Sequence, residues 1–73
     1  MEPAVAFGRA LRRLRQQRGL TQEQLGFEAD LRRTFISVLE LGQQQPTLTT
    51  IVKLVRVFDI QPSELLKEAE KDF

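Results

Sequence analysis

A chain of 73 residues, 41% hydrophobic and 29% charged, suits one small soluble globular domain, with a core so small that a partner subunit is expected to support it. It contains neither cysteine nor histidine, which excludes disulfides, a structural zinc site and the commonest catalytic bases and nucleophile pairs. The net charge of +1 hides an asymmetry: Arg9, Arg12, Arg13, Arg15, Arg18, Arg32 and Arg33 fall in the first half, whereas residues 61–73 carry Glu64, Glu68, Glu70 and Asp72 against Lys67 and Lys71, so nucleic acid should meet the first half and the acidic end should point elsewhere.

Residues 3–18 read as the first helix, with Pro3 in its opening turn, where a missing N–H costs little. Phe7, Ala10, Leu11 and Leu14 follow the spacing of a buried stripe, leaving Arg9, Arg12 and Arg13 as a solvated face. The arginine-rich, amphipathic start also suits a transit peptide, but the same residues are required as this helix. Gly19 sits where a left-handed C-terminal residue is wanted, and Arg18 faces the negative end of the helix dipole.

Residues 21–29 form the second predicted helix. Thr21 followed by Gln24 is a capping-box pair, and Leu25 and Ala29 share one face. The free N–H groups at this N-terminus, with Thr21 and Gln22, suit a phosphate. Phe27 is expected to pack on the first helix or on the turn that follows.

Asp30, Leu31 and Arg32 break the period, and residues 32–41 start a new one. At about 100° per residue, Phe35, Ile36 and Leu39 turn inward, while Arg33, Thr34, Ser37 and, marginally, Val38 turn outward. That outward face has what a helix in the major groove needs. Arg33 can fork onto guanine O6 and N7, Thr34 and Ser37 can bond base edges, and Val38 can meet a thymine methyl. Arg32 is placed for a phosphate. Ser37 has no base or oxyanion loop to make it a nucleophile, and Leu41 is expected to be half-exposed.

Residues 42–46 are a loop whose Gln43, Gln44 and Gln45 can reach phosphate oxygens through amides. Thr47 caps a fourth helix whose Leu48, Ile51, Leu54, Val55 and Phe58 form a wide apolar face, read as core and not as a cofactor pocket. Pro62 opens a fifth helix over residues 62–71 with Leu65, Leu66 and Ala69, and Phe73 follows it. With Val57 and Ile60 these make more apolar surface than one short helix is expected to bury. The surplus predicts an isologous dimer through Val57, Ile60, Leu65, Leu66 and Ala69.

Residues 21–42 resemble the helix-turn-helix of the XRE family, the phage-repressor and Cro type of DNA-binding domain. The matching positions are Gln22, small Gly26 at the helix crossing, Leu31 after the turn, Ile36 and Leu39 inside, and Glu40 with Gly42 at the close. The likeness extends outward through Arg12 to Gln22 (RRLRQQRGLTQ) and to Pro46-Thr47-Leu48, covering roughly residues 7–66.

The resemblance implies an all-α, five-helix domain. It implies that Arg15 pairs with Glu40, fixing the tilt of the third helix, and that Gln22 both contacts a backbone phosphate and braces that helix. Two departures stand out. Asp30 replaces the glycine common at a turn of positive φ, and the amide-only loop replaces lysine or arginine, which should weaken binding or its salt dependence.

Short stand-alone members, including controller proteins of restriction–modification systems, dimerise near the C-terminus. The expectation is therefore a homodimeric, sequence-specific regulator of transcription on double-stranded DNA, in the cytoplasm of a prokaryote or encoded by its phage, at the nucleoid. Its operator should be a near-palindrome with half-sites about 34 Å apart. No enzyme activity, cofactor, metal or membrane contact is expected; no stretch approaches the ~18 apolar residues of a span. The alternative is a protein-interaction module, such as an antitoxin, whose acidic and apolar C-terminus grips a basic protein partner.

Overall fold

The computed structural model describes all 73 residues as five helices without strands: α1 Pro3–Gln17, α2 Gln22–Ala29, α3 Arg33–Glu40, α4 Leu48–Phe58 and α5 Pro62–Glu70. Local chemistry sets each boundary. The Gln24 N–H donates to Thr21 Oγ1 at 3.0 Å and the Thr21 N–H to Gln24 Oε1 at 2.8 Å, a reciprocal cap on α2. Thr47 Oγ1 accepts from the Thr50 N–H at 3.1 Å, and the Gln61 N–H donates to Glu64 Oε1 at 3.2 Å. Asp30 and Asp59 end α2 and α4 in the left-handed region, at φ 57° and 56°, which aspartate tolerates better than most side chains.

Every helix contributes to one core. Phe7, Ala10, Leu11 and Leu14 of α1 meet Leu25, Ala29, Ile36, Leu39, Leu54, Val55, Phe58, Leu65 and Ala69. α1 lies against α3 and α5, while α2 bridges α3 and α4.

Several expectations require correction. Arg13 is not a solvated side chain: its Nε lies 2.9 Å from Glu68 Oε1 and its Nη1 2.8 Å from Asp72 Oδ2, and Nη2 donates to the Glu68 carbonyl at 3.0 Å. The acidic end folds back onto α1 and is partly neutralised there. Arg18 closes the end of α4 by donating from Nε and Nη2 to the Phe58 carbonyl, with its guanidinium 5.0 Å above the Phe58 ring.

Phe27 packs on nothing and is 88% exposed, and Leu48, in the first turn of α4, is 74% exposed instead of lying in the core. Phe27 stands two residues after Leu25, about 200° around the wheel, so it must leave the domain when Leu25 enters it. Leu65 and Ala69, assigned to a dimer surface, are fully buried against α1, and Val57 and Ile60 are half-buried against the same core. Of the expected dimer residues, only Leu66 faces outward.

Candidate nucleic-acid interface

The position of α3 is fixed from three sides. At the turn before it, the Leu31 N–H donates to the Gly26 carbonyl at 2.8 Å, and a Cβ on Gly26 would lie 2.7 Å from the Leu31 carbonyl oxygen. At its far end, a Cβ on Gly8 of α1 would collide with the Leu39 and Glu40 carbonyls, so only glycine lets α1 approach that closely. Gly42 follows at φ 72°, its α-carbon turned toward Val5.

The third restraint is polar. Arg15 grips Glu40 through Nε to Oε2 at 2.6 Å and Nη2 to Oε1 at 3.1 Å, while its Nη1 donates to the Leu20 carbonyl at 2.8 Å. Gln22 Nε2 donates to the same Glu40 Oε1 at 3.1 Å. The Arg15 and Glu40 side chains are only 11% and 5% exposed. One nearly buried carboxylate therefore joins α1, the N-terminus of α2 and the C-terminus of α3.

With Ile36 and Leu39 buried and Phe35 half-buried, the opposite side of α3 faces solvent. Arg33 and Thr34 are exposed, whereas Ser37 and Val38 are half-buried. No side chain caps the N-terminus of α3, where Arg32 is extended and exposed. Arg33 borders a shallow cleft with Arg15, Gly19, Leu20, Thr21, Gln22 and Glu23. At this cleft the capping box consumes the Gln24 N–H, leaving those of Gln22 and Glu23 outward.

A free anion would thus find two backbone donors, the second amide hydrogen of Gln22 and the Arg33 guanidinium, opposed by the Glu23 carboxylate. Gln43 and Gln44 are exposed just beyond α3, and the Gln43 N–H is tied to the Val38 carbonyl at 3.1 Å. Gln45 borders a different feature, an apolar groove shared with Pro3, Phe7, Pro46, Ile51, Leu66 and Phe73. No group of three or more acidic, histidine or cysteine side chains is placed to hold a metal, and no helix is long and apolar enough to cross a membrane.

Comparison with known proteins follows the same outline. A family model described as helix-turn-helix matches residues 11–65. Control protein C.BamHI of Bacillus amyloliquefaciens is 39% identical over 63 residues, covering 85% of this chain and 78% of that protein. The HTH-type transcriptional regulator PuuR of Escherichia coli K12 is 33% identical over 70 residues, which are 96% of this chain but 38% of PuuR. The crystal structure of the restriction-modification controller protein C.AhdI from Aeromonas hydrophila superposes with a TM-score of 0.83 at 44% identity, covering 85% of this chain and 94% of that one.

Proposed function

Because the chain belongs to the helix-turn-helix family and is a DNA-binding regulator of transcription, we propose that it reads a near-palindromic operator as a homodimer, through the major groove. The observation that carries this reading is the division of α3 into a face locked into the core and an outward face led by Arg33 and Thr34. On this reading Arg33 and Thr34 are the principal base readers, and the half-buried Ser37 and Val38 contribute closer, smaller contacts. Arg32, Thr21, Gln22, Gln43 and Gln44 hold phosphates. Gln45, turned toward the apolar groove, contributes least.

The proposed dimer surface moves from the buried side of α5 to its outer side. Leu66 and the 65% exposed Phe73 flank the apolar groove reaching Ile51 and Pro46, and a second copy would cover that surface across a two-fold axis. Two α3 helices so related would enter successive major grooves about 34 Å apart. The antitoxin alternative loses ground: part of the acidity meant to grip a basic partner is already engaged by Arg13.

Selecting bound duplexes from a random pool, and weighing the complex on the selected site, tests the proposal. A near-palindrome with half-sites roughly 10 base pairs apart, occupied by two chains, is expected. A single unrepeated half-site bound by one chain would overturn the dimer.

A further inference from the structure

Leu41 has no role in the reading above. It is 63% exposed, takes no part in the core and borders none of the clefts or grooves of the domain. Its backbone nevertheless continues the helical run of α3, at φ −81° and ψ −4°, and its N–H donates to the Ser37 carbonyl at 3.0 Å. At about 100° per residue, the Leu41 side chain falls about 20° from Thr34 and about 40° from Ser37, in the middle of the outward face. Val38, half-buried, adjoins it. The outward face therefore changes character along its length, from Arg33 and Thr34 in the first turn to Val38 and Leu41 at the end.

A helix that turns Thr34 and Ser37 toward base edges carries Leu41 toward the same duplex. Leucine has nothing to offer a phosphate, and set against a base-edge donor or acceptor it would strand a hydrogen-bonding group. The one apolar group on the major-groove edge of a base pair is the C5 methyl of thymine. Along the helix axis Leu41 stands about 12 Å beyond Arg33, at about 1.5 Å per residue. That distance is the length of roughly three to four base pairs at about 3.4 Å each.

We propose that Leu41 is a specificity-determining residue, seating a thymine methyl roughly three to four base pairs from the base that Arg33 reads. The inference rests on the DNA reading above, and it gives each half-site a polar end and an apolar end. The test starts from the duplex selected from a random pool. Each thymine of one half-site is replaced in turn by uracil, which differs only in lacking the methyl. Affinities are titrated for the wild type and Leu41→Ala, with melting temperatures of both proteins. A further pair of duplexes carries cytosine or 5-methylcytosine at the sensitive position.

For the wild type, uracil should weaken binding about fourfold, the worth of one buried methyl-sized group. It should do so at one position, roughly three to four base pairs from the one where Arg33→Ala relaxes preference. There 5-methylcytosine should bind about fourfold more tightly than cytosine. Leu41→Ala should melt as the wild type does and lose both differences. A wild type indifferent to uracil throughout the half-site would overturn the proposal. A uracil penalty that persists in Leu41→Ala would also overturn it, giving the methyl to Val38 instead. A selection that yields no preferred duplex would remove the DNA reading itself, and this inference with it.

Discussion

At the scale of single residues, Glu40 decides most. Its carboxylate receives Arg15 Nε and Nη2 and Gln22 Nε2, and no buried side-chain nitrogen or oxygen is left unpartnered. Arg15→Ala would leave that nearly buried charge with one amide donor, so a loss of about 3–5 kcal/mol is expected in denaturant or thermal unfolding. Melting like the wild type would show that the pair carries no stability. Arg33 should behave in the opposite way. It is exposed, so Arg33→Ala should leave stability within about 0.5 kcal/mol while relaxing preference at one base position by about 1–3 kcal/mol. Binding to a set of singly substituted duplexes measures this, and unchanged discrimination would remove Arg33 from the reading set. The residue scale is also where sequence reasoning saw least. Arg13 and Arg18 meet partners 55 and 40 positions away, and no local spacing announces a partner that only folding brings near.

At the scale of elements, the helices were legible because their boundaries are written in local chemistry: Thr21 with Gln24, the Thr47 cap, Pro62 and Gly19. The outward face of α3 was legible for a related reason, since Phe35, Ile36 and Leu39 leave Arg33 and Thr34 only one direction to point. α5 was not. Leu65, Leu66 and Ala69 span more than one face, and periodicity alone does not say which of them meets α1. Packing resolves it, with Leu65 and Ala69 inward and Leu66 outward. The two leucines should therefore respond differently. Leu65→Ala is expected to lose about 2–5 kcal/mol in denaturant unfolding, the range for a truncated core leucine. Leu66→Asp should keep the fold but convert a dimer to monomers in sedimentation analysis. A dimer surviving Leu66→Asp would place the interface elsewhere on the surface.

At the scale of the whole molecule, charge is distributed more subtly than the net value suggests. Lys71 and Arg13 hold the Glu68 carboxyl below its ordinary range, and Arg13 does the same for Asp72, while these carboxylates raise Arg13 in turn. Carboxyls depressed in the folded state stabilise it above their unfolded pKa values, and that contribution is lost as pH falls through the folded ones. Melting temperature should then be insensitive to this cluster near neutrality and decline below about pH 4. Arg13→Gln should flatten that decline, and a parallel decline in the variant would assign it to other groups.

The consequence for DNA follows from what Arg13, Arg15 and Arg18 are doing: they hold the protein together and are not free to neutralise phosphates. At the start of α3 that leaves Arg32, helped by Arg33 where it is not reading a base, while the loop after α3 offers only glutamines and the exposed Arg9 and Arg12 lie on α1. For a dimer this predicts a slope of log affinity against log salt between about −2 and −4, since each neutralised phosphate contributes about −0.9. Gln43→Lys adds one cation per protomer at the exposed start of that loop. It should steepen the slope by about 2 for the dimer and tighten binding most at low salt. Titrations of a selected operator at several salt concentrations measure both quantities. A wild-type slope steeper than about −6 would mean that other basic side chains reach the backbone. An unchanged slope in Gln43→Lys would mean that the loop lies clear of the DNA.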